Sequence, residues 1–175
     1  MGAAARLNGT TRTALHPDGV EPLMDSEITG NEQARVVVAL CLMLHARGGL
    51  FTIENPLGSW LFISQHFLEL YDRMQCWKGI VDQCAYGLQL PSFTKHEYCH
   101  KSTVFLANFE EITRINKRCP GVGKTHSHRR AWGNVTHNGC SISLAKCAGA
   151  YPPPLTDVIA VIVASSLLER SPRSW

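Results

Sequence analysis

The chain has 175 residues, 45% of them hydrophobic and 18% charged, with a formal net charge of +3. That length suits one domain, and that balance excludes a disordered polyelectrolyte. So small a net charge excludes no class of partner; the distribution of charge along the chain carries more information.

Residues 1–30 read as an irregular segment, rich in Gly, Thr, Pro and Asp and without periodicity. From Asn31, a candidate N-cap, Val36, Val37, Leu40, Cys41 and Leu44 recur at helical spacing until Gly48-Gly49, which predicts a helix near 32–47. Leu50-Phe51-Thr52-Ile53 predicts a short buried strand that Pro56 ends. Ser59 then caps a helix over 60–74, with Leu61, Phe62, Phe67, Leu68 and Tyr71 toward a core. Further strands are expected near 79–83 and 102–107, followed by an acidic helical start at Glu110-Glu111. Pro152-Pro153-Pro154 leads into a last helix, opened by Thr156 and Asp157, over 155–169; being apolar all round, it is expected to be buried. This order implies an α/β layer fold with a largely parallel sheet over 31–170.

The longest apolar run, 158–164 and on to Leu168, falls short of the roughly 20 residues that span a bilayer. Met1 to Ala5 is interrupted by Arg6 and is too short for a secretory leader. The expected setting is therefore intracellular, with no membrane partner and with the seven cysteines as reduced thiols.

Two regions carry chemistry. Glu54 follows a buried strand directly, at the carboxyl end, where open α/β sheets form their ligand crevice. A carboxylate there either caps a turn or meets the hydrogen-bonding edge of a ligand. The second region is 113–148, which holds Arg114, Lys117, Arg118, Lys124, Arg129, Arg130 and Lys146 and no acidic residue. It reads as a solvated basic loop or as a phosphate-contacting surface. Within it Cys119, His126, His128, His137 and Cys140 offer zinc-type ligands, with Cys147 nearby. Their spacing matches no standard finger, so unliganded side chains are the plainer reading and a structural zinc pinning the loop is the alternative. Gly121-Val122-Gly123-Lys124-Thr125 ends like a phosphate-binding loop but lacks the strand before it and the helix after it. Trp132, beside Arg129 and Arg130, is the one tryptophan placed to stack on a base; Trp60, Trp77 and Trp175 read as packing residues.

Three segments, with a short fourth near the start of the chain, together resemble the cytosine-5 DNA methyltransferases. Phe51-Thr52-Ile53-Glu54-Asn55-Pro56 resembles their Glu-Asn-Val strand, with Pro56 for Val. Tyr86-Gly87 followed by Lys101-Ser102-Thr103-Val104-Phe105-Leu106 resembles their Tyr-Gly-x-Pro turn and Gln-x-Arg-x-Arg-Val-Phe strand. Here Lys101 and Thr103 stand for the two arginines and Cys99 for the Gln. Gly149-Ala150-Tyr151-Pro152-Pro153-Pro154-Leu155 resembles their Gly-Asn-x-Val-Pro-Pro-x-Leu segment, and Arg6-Leu7-Asn8 the loop after their Pro-Cys nucleophile.

The resemblance implies the C-terminal half of a partial Rossmann-like methyltransferase sheet with flanking helices, acting on DNA. It implies Glu54, Asn55 and Lys101 as a vestigial base-binding pocket and Ala150 and Tyr151 as a weak cofactor contact. In that family a Cys thiolate attacks a cytosine taken out of the stack, and S-adenosylmethionine supplies the methyl group. Neither a Phe-x-Gly-x-Gly cofactor loop nor a Pro-Cys pair is present in the sequence, and Cys41 inside a helix is a poor nucleophile. The expectation is a chain inactive alone that takes S-adenosylmethionine only when completed by an N-terminal half. Alone it would expose an open sheet edge and self-associate. In a eukaryote its setting would be nuclear. The rival expectation is a non-enzymatic nucleic-acid-binding or zinc-stabilised interaction module.

Overall fold

The computed structural model describes residues 10–137 and 139–170; Arg6-Leu7-Asn8 and Trp175 lie outside them. The first helix, α1 (Asp25–Ala46), starts before Asn31. Its N-terminus is fixed by a polar device that hydrophobic periodicity does not report. Glu27 is buried and accepts hydrogen bonds from the Met24 N–H (3.0 Å) and the Thr10 (2.8 Å) and Thr11 hydroxyls, as well as from the Thr11 N–H. The Met24 bond is one half of a capping box; the threonine bonds clamp the preceding segment onto the helix. These contacts hold the Glu27 carboxyl down to about 2 although burial alone would raise it.

The central sheet has the order β1-β4-β2, built from β1 (Thr52–Pro56), β2 (Trp77–Asp82) and β4 (Ser102–Ala107). Both pairings are antiparallel, with Glu54 opposite Phe105 and Ile80 opposite Val104. This corrects the expectation of a largely parallel sheet, and no Rossmann-like arrangement is evident. Element order alone did not reveal that β4 returns between the two earlier strands. Between β2 and β4 run a 3-10 turn (Gln83–Tyr86) and the short β3 (Glu97–Tyr98).

β4 distributes its side chains with the strand period of two. Val104 and Leu106 join Ala34, Val38 and Cys41 of α1 and Phe67 and Leu70 of α2 (Gln65–Arg73). Phe105 and Ala107 face the other way, toward Val81, Ile112 and Ile115, and toward Leu155 and Ile162 of the last helix. The result is three layers, helix on sheet on helix. Gly79 permits the second face to close. A Cβ there would stand 2.6 Å from Ile115 and 2.7 Å from the Ile112 carbonyl, in the 3-10 segment Glu110–Ile115. Gly79→Ala is expected to destabilise the fold by about 1–3 kcal/mol through overpacking; a denaturant melt checks it.

The basic region is not a bare loop. It contains β5 (Ser127–His128), paired in parallel with β3, a hairpin of β6 (Asn134–His137) and β7 (Cys140–Ser143), and a short helix α3 (Leu144–Cys147). A small cluster of Leu88, Leu90, Cys99 and Leu144 anchors it.

The last helix, α4 (Pro153–Arg170), begins before Thr156, with prolines in the first turn where no N–H donor is required. The expectation that it is buried fails: Leu155, Ile162 and Ser166 are buried, whereas Val161 and Leu168 are 66% and 75% exposed. α1 likewise turns Leu40 and Met43, each 54% exposed, to solvent, together with Val36 and Leu44. Its buried line runs through Ala34, Val38 and Cys41, so of the expected face Cys41 alone is fully buried and the face is rotated. The outer edge of β2 is covered by 116–117, with Asp82 N donating to the Lys117 carbonyl at 2.9 Å. Among the described residues no strand covers the outer edge of β1. None of their helices is long and apolar enough to cross a membrane.

Candidate functional site

The three segments singled out in the sequence converge in space. Glu54 on β1 and Phe105 on β4 are cross-strand neighbours, and the Tyr151 ring packs against Phe105 at 5.8 Å between centroids. Lys101, just before β4, sets its ammonium 5.4 Å from the centre of the Tyr151 ring and 4.0 Å from Glu54 Oε1. Its Nζ also donates to the Ala148 carbonyl at 3.4 Å. The chain thus brings positions 54, 101 and 151 together from three separate stretches of sequence.

Glu54 Oε1 is buried and has no hydrogen-bond partner among the described residues. A buried acceptor without a donor costs roughly 1–3 kcal/mol; here the Lys101 ammonium, 4.0 Å from the same atom, offsets part of that cost and leaves room for a donor. Burial pushes the Tyr151 hydroxyl up to about 12, and the charge of Glu54 beside it adds to the shift. At neutral pH that hydroxyl keeps its proton and remains a donor. A carboxylate acceptor, an ammonium and a phenol therefore line one small polar spot on an otherwise apolar face.

Lys101 also lines a cleft of about 560 Å³ together with His100, His128, Arg129, Arg130 and Ala148. Arg129 and Arg130, from the basic region, are thereby brought to the site. The other basic candidates go elsewhere. Arg118 pairs with the buried Asp82 at 3.2 Å, and Lys117 lies over the Tyr86 ring at 4.8 Å. Arg114 and Lys124 are exposed and do not line this cleft. Asn55 is half-buried next to Glu54, on the opposite pleat of β1. Ala150 is exposed, beside Tyr151.

Asp82 organises the far wall. It accepts from the Ser102 hydroxyl and from the Cys119 N–H (2.8 Å), with His100 Nε2 3.7 Å away. Burial would raise its pKa, but these donors and Arg118 outweigh burial and lower it.

Of the metal-ligand candidates, Cys119, His126 and His128 come together. Their fourth neighbour is Cys84, in the 3-10 turn after β2, which the sequence reading did not include. Cys140 is exposed in the β6–β7 hairpin and stands outside this group, a correction to its candidacy. The side chain of His137 lies outside the described residues. Only the position of Cys84, directly after the strand that ends at Asp82, could have signalled its part; the long gap to Cys119 hides it.

Gly121 to Thr125 forms a tight turn, closed by a bridge between Gly123 and His126, with Gly121 at φ +92°. The strand β5, and no helix, follows it. All seven cysteines are unbridged. Burial pushes the Cys41 thiol up to about 11, with Cys76 adding to it, the opposite of what a nucleophile requires.

No protein-family model, no curated protein and no solved structure matches this chain.

Proposed function

We propose that this chain is the base-holding part of a cytosine-5 DNA methyltransferase-like protein, unable to methylate by itself. The observation that carries this reading is the buried Glu54 Oε1, which accepts no hydrogen bond and is met by the Lys101 ammonium at 4.0 Å, with Tyr151 beside them. All three residues belong to the segments that resemble that family. A cytosine offers an amino donor and an adjacent ring-nitrogen acceptor, and a carboxyl group can answer both: as an acceptor for the first and, once protonated at the second, as a donor. Tyr151 and Lys101 would bound the same edge. The base must be unstacked to reach them, which suits single-stranded or flipped substrate.

Among the described residues the reading has no attacking thiolate. Ala150 is exposed and the Tyr151 ring packs on Phe105, so these two residues by themselves offer little of an S-adenosylmethionine site. Thiolate and methyl-donor site would both come from a complementary segment or chain. The open edge of β1 and the apolar Leu40–Met43 side of α1 support a complement of this kind. The proposed setting is intracellular, and nuclear in a eukaryote.

Glu54→Gln tests the reading. Binding of a short cytosine-containing single strand is expected to weaken about tenfold, the equivalent of roughly 1.4 kcal/mol, with thermal stability unchanged or raised. Unchanged affinity would refute the base-holding role.

A second reading, a nucleic-acid-binding module with no enzymatic partner, is favoured by Trp132, which is 88% exposed beside Arg129 and Arg130. An exposed aromatic among arginines stacks on bases of any identity. Under that reading Glu54→Gln changes nothing and Trp132→Ala removes the binding.

A further inference from the structure

We infer that Cys84, Cys119, His126 and His128 form a closed tetrahedral zinc site that fastens the basic region to the end of the central sheet. Four features support it independently of the base-holding proposal.

The first is distance. The four ligand atoms lie within 4.8 Å of one another. Cys119 Sγ is 3.5 Å from His126 Nε2 and 3.3 Å from His128 Nε2, and the two Nε2 atoms are 3.0 Å apart. Zinc bonds of about 2.3 Å to sulfur and about 2.0 Å to nitrogen, set at tetrahedral angles, require edges of about 3.5 Å for S–N and about 3.3 Å for N–N. The three edges among Cys119, His126 and His128 are within a few tenths of an ångström of these values, and Cys84 Sγ, within 4.8 Å of each, stands close enough to complete the tetrahedron with a small side-chain adjustment.

The second is how the backbone aims the ligands. His126 and His128 are alternate residues on an extended segment, so their rings leave the same side of β5. The Tyr98 ring stacks on His126 at 4.6 Å and an interplanar angle of 12°, and His100 lies 4.7 Å from His128. These contacts hold both rings with Nε2 pointing inward.

The third is support around the sulfur. The Gly121 N–H points at Cys119 Sγ at 3.3 Å, a donor suited to a thiolate. The Cys119 backbone N–H is held by the buried Asp82 carboxylate. Outer contacts of this kind orient metal ligands.

The fourth is the ligand set. Two thiolates and two neutral imidazoles give a neutral site with a divalent ion, and two sulfurs with two nitrogens in tetrahedral array select zinc. On binding, two thiol protons leave to solvent while two Zn–S and two Zn–N bonds form; nothing is oxidised or reduced. Four protein ligands leave no open position, so the ion is structural. His128 and Arg129 line the Lys101 cleft, so the zinc would also hold that wall in place.

The test uses the full chain and zinc itself. After exhaustive dialysis the chain is expected to retain one zinc, and chelation should lower its melting temperature. Cobalt substitution should give the visible bands of a tetrahedral site with two thiolates. Cys119→Ser should lose the metal while Cys140→Ser keeps it. His128→Cys preserves a four-ligand set, so it should keep zinc and intensify the cobalt–thiolate absorption; it serves where a serine variant fails to fold. Substoichiometric zinc in the unaltered chain, equal loss from Cys119→Ser and Cys140→Ser, or an unchanged cobalt spectrum in His128→Cys would each overturn the assignment.

Discussion

Replacing Glu27 with Gln is expected to destabilise the fold by about 3 kcal/mol, the scale of losing charge-assisted hydrogen bonds in a buried setting. For a chain of this size that lowers the melting temperature by roughly 6–12 °C. The carboxylate is nearly inaccessible and answers donors from Thr10, Thr11 and Met24. The neutral amide keeps its shape but loses the charge, and turns an NH₂ group toward donors. Because the folded-state pKa is depressed, from 4.5 to about 2, the stabilisation is complete above the unfolded value. It is lost as pH falls from about 5 toward 2. Asp82, also lowered, contributes in the same direction. The unaltered chain should therefore lose stability steeply over that window, and Glu27→Gln should flatten the slope. A pH series of thermal melts of the two proteins reads both effects; parallel curves would show that Glu27 is not the clamp.

Neutralising Arg130 is expected to reduce the salt dependence of single-strand binding by about 0.7 in the slope of log affinity against log salt, one phosphate contact. Arg130 is exposed, lines the Lys101 cleft and has no ion pair among the described residues. Arg129, its neighbour, is already engaged. It stands 3.5 Å from Glu97, donates to the Ser92 carbonyl at 3.2 Å and lies over Phe93. Arg129→Gln should therefore change the slope less than Arg130→Gln. Arg118→Gln should leave the slope alone and lower stability, since Arg118 answers the buried Asp82. Equal slope changes for all three would mean that the positive charge acts as a diffuse field and the cleft has no special part.

β2 and β4 were legible because their residues carry the signal themselves, whereas β1 runs Thr52–Pro56, half-buried, and takes Glu54 into its middle where the sequence placed it after a buried Leu50–Ile53 strand. Thr103-Val104-Phe105-Leu106 is apolar and β-prone, and the strand lies within a residue of where that run places it. The start of α1 was not, because Asp25-Ser26-Glu27 looks like turn chemistry until the burial of Glu27 shows what it caps. Strand direction escaped for a topological reason. The excursion through β3 brings β4 back antiparallel between β1 and β2, and no local property of those strands encodes it. The exposed sides of α1 and α4 read as core because the sequence reports apolarity and not what covers it.

The candidate site divides in the same way. Glu54, Lys101 and Tyr151 were visible through motif resemblance, and their convergence is a tertiary fact. Cys119, His126 and His128 were visible as ligand types. Cys84 was not, because a metal site assembled from a sheet end and a distant loop leaves no compact spacing to read.

The most direct test of the base-holding role is the affinity of the unaltered chain for two single strands, one with cytosine and one with uracil at the same position, at fixed salt. Uracil replaces the amino donor with a carbonyl and the ring acceptor with an N–H, so it reverses the edge that Glu54 would meet. The cytosine strand is expected to bind at least about tenfold tighter, within the range of one good bidentate contact, and Glu54→Gln to lose that preference. Equal affinity for the two strands would contradict it and leave a basic surface that binds nucleic acid without reading a base.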